Sequence, residues 1–122
     1  PVVLIGAGNL GTALLSYGGF AQEGFEIVAA FDADATRQRS RSPVDVLPMD
    51  RLESVIAERA VRMAILCVPA AVAQAVANRL FAAGIGGILN FAPIVIHAPE
   101  DVMVNNVNLA IELENLSYFI QG

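Results

Sequence analysis

Gly6-Ala7-Gly8-Asn9-Leu10-Gly11 follows the apolar run Val2-Val3-Leu4-Ile5 and opens a small, apolar stretch over residues 9–17. That is G-x-G-x-x-G between a strand and a helix, and each glycine has a mechanical reason. Gly6 permits a tight turn, Gly8 lets a pyrophosphate approach the backbone, and Gly11 lets helix and strand pack closely. The helix N-terminus that follows offers N–H groups and the positive end of its dipole to an anion. Such a loop alone is weak evidence, but here an acid closes the next apolar run. Glu26-Ile27-Val28-Ala29-Ala30-Phe31 ends at Asp32, 21 residues past Gly11. At that distance a carboxylate can accept hydrogen bonds from an adenosine ribose. The pattern predicts a dinucleotide site; the alternative is a glycine-rich turn that has no ligand. Asp32 would repel a ribose 2′-phosphate, so NAD(H) is expected over NADP(H). Arg37, Arg39 and Arg41 are the one feature favouring NADP, and such a charge run is more often a solvated loop.

Ligands of open α/β sheets bind beyond the carboxyl ends of the strands. Val68-Pro69-Ala70 and Asn90-Phe91-Ala92-Pro93 are two further such ends. Asn90 is a polar residue closing an apolar strand, and pattern alone leaves two readings equal: a hydrogen-bond partner for a ligand, or a local turn-former. Catalytic equipment is not found. A dehydrogenase needs a proton donor or acceptor near the hydride-transfer carbon. The single histidine, His97, has no acidic neighbour in sequence and reads as a surface or structural residue. Cys67 lies inside an apolar strand and reads as an inert thiol. No metal-ligand spacing occurs. Cofactor binding without catalytic residues points to sensing or regulation, or to a piece of something larger.

The elements that would position these residues alternate along the chain. Strands are expected at Val2–Ile5, Glu26–Phe31, Val44–Leu47, Met63–Val68, Ile88–Phe91 and Val102–Val107. The first, second and fourth are almost wholly apolar, as in strands covered on both faces. Helices are expected over 9–17, 51–59 and 70–83. The second has Asp50 with Glu53 three positions on, a capping-box pattern. The third carries Val72, Val76 and Leu80 on one stripe, and Gly84 follows as a C-cap. The fold expected is α/β: a Rossmann-type, doubly wound, mostly parallel sheet. Residues 33–43 are the most polar stretch and are expected to be the most mobile.

Length and composition agree. One domain fits 122 residues, and 56% hydrophobic against 16% charged residues supports a real core. That apolar fraction is high for so small a domain, so part of its surface is expected to be covered by another chain. Apolar runs are too short to span a bilayer. The start, Pro1-Val2-Val3-Leu4, reads as a first strand rather than a targeting signal, and an initial Pro without Met suggests a fragment or a processed chain. A net charge of −5 argues against nucleic-acid binding by this piece alone. One cysteine fits a reducing, cytoplasmic setting.

The last segment, Asn108 to Gln121, places Leu109, Leu113, Leu116 and Ile120 at spacings of 4, 3 and 4. This is one apolar helix face, with Asn108 a plausible N-cap. The helix could pack on its own sheet or on a partner subunit; the apolar excess favours the partner. The organisation expected is a nucleotide-binding domain over residues 1–107 and a C-terminal dimerisation helix over residues 108–122.

The chain resembles the C-terminal NAD-binding domain of the Rex-type redox-sensing transcriptional repressors. The matching residues are Gly6 to Leu14, Tyr17, Gly19-Phe20, Gly24 to Asp32, Val68-Pro69-Ala70 and Gln74. They continue with Ala83-Gly84-Ile85, Gly87 to Pro93, Leu109 to Leu113 and Leu116 to Phe119. The block Ile88 to Pro93 and the ending are more specific than the glycine loop. The resemblance implies a homodimer, not an enzyme, that reads the NADH/NAD⁺ ratio, with NADH favouring release of operator DNA. It implies a last helix swapped between subunits. Carried over by position, Gly6, Ala7, Gly8, Asn9, Leu10, Gly11 and Asp32 would hold the pyrophosphate and adenosine ribose. Val68, Pro69, Asn90, Phe91 and Ala92 would surround the nicotinamide half, and Tyr17 would belong to the redox switch.

Three departures stand out. The family's winged-helix DNA-binding domain is absent from this chain, so operator DNA would be bound only through such a missing domain. The loop after Asp34 looks short, and Asn108 stands where the family usually has an aspartate that engages the switch tyrosine. Two other classes compete. One is the CoA- or nucleotide-binding module of an acyl-CoA synthetase-like enzyme, which Asp32 argues against because CoA carries a 3′-phosphate on the same ribose. The other is a dimerisation module that has lost its ligand.

Overall fold

The computed structural model of the chain describes residues 1–8, 11, 14, 15, 22, 24–34 and 44–107. The expected helix over 9–17 is outside these residues except for Gly11, Leu14 and Leu15. The polar stretch beyond Asp34, up to Pro43, and the expected C-terminal helix lie outside them too.

Among the described residues six strands form one sheet: β1 (Val2–Ile5), β2 (Ile27–Phe31), β3 (Val46–Leu47), β4 (Met63–Leu66), β5 (Gly87–Asn90) and β6 (Met103–Asn106). Their order is β3-β2-β1-β4-β5-β6, and all five adjacent pairs are parallel. This is the doubly wound arrangement in which the strand order reverses between β1 and β4, leaving a crevice at their carboxyl ends. The expected strand over Val44–Leu47 is confined to Val46–Leu47, and the fourth ends at Leu66 rather than Val68.

The apolar strand sequences follow from burial on both faces. Val3 and Ile5 of β1 face one core with Phe31, Leu66 and Ile88. Among the described residues two helices close that side: α1 (Leu52–Glu58) through Leu52, Val55 and Ile56, and α2 (Ala70–Ala82) through Ala73, Val76, Ala77 and Leu80. Val2 and Leu4 face the opposite core with Ala7, Leu15, Ala30, Val46 and Ile65.

The two helices end alike, and α1 begins differently from expectation. After α2, Gly84 takes φ +98°, with Ile85 N–H donating to Leu80 O and Gly84 N–H to Phe81 O. That is the Schellman ending. After α1, Val61 N–H donates to Ile56 O in the same way, but the left-handed position is held by Ala60 at φ +52°. The capping box expected from Asp50 and Glu53 does not form. Met49–Arg51 is a 3-10 turn, Arg51 is the N-cap without a side-chain bond, and the Glu53 carboxylate reaches instead to Arg79 of α2.

Candidate dinucleotide site

The sheet ladder continues one residue past several strands, and this brings the site together. Gly6 N–H donates to Phe31 O (2.8 Å), Asp32 N–H to Leu47 O (3.0 Å), Cys67 N–H to Ile5 O (2.8 Å) and Phe91 N–H to Leu66 O (2.8 Å). Residues that end four different strands therefore stand in a row along the carboxyl edge of the sheet.

Two glycines of the loop are required by close approach. Gly6 has φ +98°, and a Cβ there would run into the Cys67 carbonyl. A Cβ on Gly11 would run into the Gly6 carbonyl and stand 3.3 Å from the Leu4 side chain. Gly6 thus turns the chain and lets the end of β4 pass, while Gly11 lets its own backbone lie against the Gly6 carbonyl. Gly8 is half-buried. Asn9 and Leu10 lie outside the described residues.

Asp32 is buried, with 6% of its surface exposed. Its Oδ2 accepts from Ala7 N–H at 2.7 Å and its Oδ1 from Asp34 N–H at 2.8 Å. The carboxylate is therefore fixed to the glycine loop on one side and to its own turn on the other. Beside it opens a cleft of about 360 Å³ at the reversal point between β1 and β4. Gly6, Asp32, Val68 and Pro69 line it, as expected. Met49, Val72, Val76 and Arg79 line it too. Val72 belongs to the buried stripe of α2 by spacing but is 45% exposed, so the stripe runs out of the core into the cleft wall. Pro69 is the N-cap of α2 in extended conformation, with no side-chain cap bond.

Arg79 is held by three hydrogen bonds at the cleft margin. Its Nη2 donates to Glu53 Oε1 and to Met49 O, both at 2.7 Å, and its Nε donates to Glu53 Oε2 at 2.8 Å. This bidentate pair pulls the Glu53 carboxyl below its ordinary pKa and raises that of Arg79. Cys67 also lines the cleft, and burial pushes its thiol up to about 12. It remains a neutral thiol, as its sequence context implies.

Asn90, Phe91 and Ala92 do not line this cleft. They stand one strand farther along the same edge, Asn90 being in register with Leu66. Asn90 is fully buried, and its carboxamide is engaged locally. Oδ1 accepts from Ala92 N–H, and Nδ2 donates to Ile94 O and Asn106 Oδ1, each at 2.9 Å. The turn-forming reading of Asn90 is the one the geometry shows. His97 is exposed, and its backbone rather than its ring is engaged, by Gln74. Among the described residues no group of three or more His, Cys, Asp or Glu could hold a metal ion.

A doubly wound parallel sheet with a glycine turn, a buried acid closing β2 and a cleft at the reversal point defines a nucleotide-binding Rossmann-type domain. Residues 1–94 match the family model described as CoA binding domain, and the chain belongs to that family. Nearly the whole sequence is homologous to part of the Rex redox-sensing transcriptional repressors. It is 49% identical over 121 residues to the Rex of Carboxydothermus hydrogenoformans, covering 98% of this chain and 58% of that protein. Among solved structures it is similar to RSP, a Rex-family repressor, in complex with β-NADH: TM-score 0.89, 38% identity, covering 98% of this chain and 58% of that one. The RSP complex with β-NAD⁺ and operator DNA gives TM-score 0.86 at 38% identity, with 98% and 55% covered. The chain thus spans little more than half the length of these relatives.

Proposed function

We propose that this chain is the NAD(H)-binding, redox-sensing domain of a transcriptional repressor that reads the NADH/NAD⁺ ratio. The observation that carries the reading is Asp32, a buried carboxylate closing β2 and bonded to the glycine loop. Adenosine ribose hydroxyls can donate to such a carboxylate, and a ribose phosphate is repelled by it. Gly6, Ala7, Gly8, Asn9, Leu10 and Gly11 would cradle the pyrophosphate. Val68 and Pro69 would border the cofactor, and Asn90 would shape the wall that Phe91 and Ala92 present to the nicotinamide. The cofactor supplies a redox-dependent ring charge, while the protein's part is to distinguish its two forms, so the domain is a sensor and not an enzyme. The solved RSP complexes with β-NADH, and with β-NAD⁺ and operator DNA, support this assignment.

The CoA-binding alternative is disfavoured by the same acid, because the 3′-phosphate of CoA would sit beside Asp32. Titrating the purified domain with NADH, NAD⁺, NADPH and CoA by calorimetry tests the reading. NADH is expected to bind tighter than NADPH or CoA; equal binding of NADH and NADPH would refute the proposal.

The assembly proposed is a cytoplasmic homodimer, with residues 1–107 as the nucleotide domain and residues 108–122 as a dimerisation helix. By their spacing, Leu109, Leu113, Leu116 and Ile120 would form its apolar stripe, and burying one such side chain fully is worth about 1.5–3 kcal/mol. A second apolar area supports a partner. Met63 and Met103 flank Gly87 in register and are 43% and 74% exposed. Operator DNA would be bound by a separate DNA-binding domain, since the chain carries −5 net charge. No described helix is long and apolar enough to cross a membrane.

A further inference from the structure

Residues 91–102 join two neighbouring parallel strands without any helix or strand of their own. Such crossovers usually contain a helix, whose internal hydrogen bonds fix the backbone. Here two side-chain carboxamides take over that task. Asn90 shapes the first turn through Ala92 N–H and Ile94 O. Farther along, Gln74 of α2 binds one peptide unit from both sides. Its Oε1 accepts from His97 N–H at 2.9 Å, and its Nε2 donates to His97 O at 3.0 Å. That is the reciprocal pairing a neighbouring strand would offer. Between the two anchors Ile96 is buried and Ile94 packs against the core. The backbone from Phe91 to His97 is thereby held at both ends and in the middle.

We propose that Gln74 is a positioning residue for the nicotinamide half of the site. It lies outside the cleft lining and acts through the peptide of His97. By fixing the far end of the loop it holds Phe91 and Ala92 as a preformed wall, so that the ligand does not have to order the loop on binding. The same helix borders the cleft through Val72 and Val76. Gln74 thus sets the nicotinamide wall at a fixed distance from the rest of the cleft. This inference rests on the dinucleotide reading of the site and adds which half of the ligand each anchor serves.

The test compares NADH with ADP-ribose, which keeps the adenosine and pyrophosphate and lacks the nicotinamide. Both are titrated by calorimetry into the unmutated chain and into Gln74→Ala, Gln74→Glu and Asn78→Ala. Gln74→Ala is expected to weaken NADH about tenfold, the scale of one or two hydrogen bonds. ADP-ribose should change by less than about twofold, which also reports that the fold is intact. Gln74→Glu keeps an acceptor for His97 N–H but opposes a carboxylate to His97 O, and should fall with the alanine variant. Asn78 accepts from the same Gln74 Nε2 but is not a partner in the two bonds between Gln74 and His97, so its alanine variant should bind both ligands normally. Unchanged NADH binding by Gln74→Ala, or equal loss of NADH and ADP-ribose, would overturn the proposal alone. An unmutated chain that binds neither ligand would overturn the dinucleotide reading and this inference with it.

Discussion

The backbone N–H of Ala7 donates to Oδ2 of Asp32 across 2.7 Å, between residues 25 positions apart in the chain. One buried carboxylate thus holds the glycine loop and, in the proposed dinucleotide site, would offer the negative charge that selects among ribose substituents. Asp32→Ala should therefore do two things at once. It leaves the Ala7 and Asp34 amides without this acceptor, a loss on the order of 1.5–3 kcal/mol for bonds to a charged group. It also removes the repulsion of a ribose phosphate. Thermal melting should show lower stability, and calorimetry should show weaker NADH binding with a narrower gap to NADPH. A variant whose NADH preference is undiminished would place cofactor selection elsewhere.

Glu53 and Arg79 tie α1 to α2 at the margin of the cleft. The Glu53 carboxyl titrates below its ordinary value in the folded chain, chiefly through the bond from Arg79. The sign follows: the pair stabilises the fold above the unfolded carboxyl pKa of about 4.3 and loses that effect as pH falls through the lower folded value. Both side chains are more than a third exposed, so the contribution is at most about 1 kcal/mol. Glu53→Gln should melt slightly lower than the parent at pH 7, and the difference should shrink below about pH 4. A difference that grew on acidification would contradict the direction of the shift.

Ala60 occupies a left-handed position at φ +52°, closing α1 where Gly84 closes α2. A Cβ is disfavoured there by roughly 1–2 kcal/mol, and part of that is recovered as a smaller entropy cost of folding than glycine would pay. Ala60→Gly should raise stability by about 0.5–1 kcal/mol. It lies outside the cleft lining, so NADH affinity should be unchanged. Chemical denaturation with unaltered slope checks this, and a destabilised variant would show that the Ala60 side chain has a packing role.

The strands and the acid were legible because each signal is local. Val2 to Ile5 and Ala64 to Leu66 are apolar without alternation because both faces are covered. Asp32 stands where its strand ends. Gly84 announced the end of α2, since only one residue type sits easily at φ +98°. What escaped depends on how distant elements cross. Glu53 fitted a capping box on spacing, yet it bonds Arg79, 26 residues away. That bond requires α1 and α2 to lie side by side, which spacing does not encode. Val72 read as core because the stripe gave no sign of where the cleft opens. Gln74 belonged to the family resemblance, but its pairing with His97 follows only from a loop that returns over α2.

Cys67 separates a structural thiol from a reactive one, and the distinction is measurable. It is half-buried at the end of β4, its N–H donates to Ile5 O, and its carbonyl stands where a Gly6 side chain would otherwise be. Burial pushes its pKa up to about 12. A free thiol titrates near 8.5, and only the thiolate reacts. At pH 8 the folded chain then carries roughly a thousandfold less thiolate than an unfolded one. Iodoacetamide labelling followed by mass spectrometry should be slower by about that factor in native buffer than in denaturant. The pH effect on stability has the matching sign. A thiol whose pKa is raised on folding costs nothing below the unfolded value and destabilises the fold as pH rises above it. Stability should therefore decline above about pH 8.5, and Cys67→Ala should remove that part of the decline. Native labelling at the rate of the unfolded chain would mean that the thiol meets a cation or solvent, and would reopen Cys67 as a reactive group in the cleft.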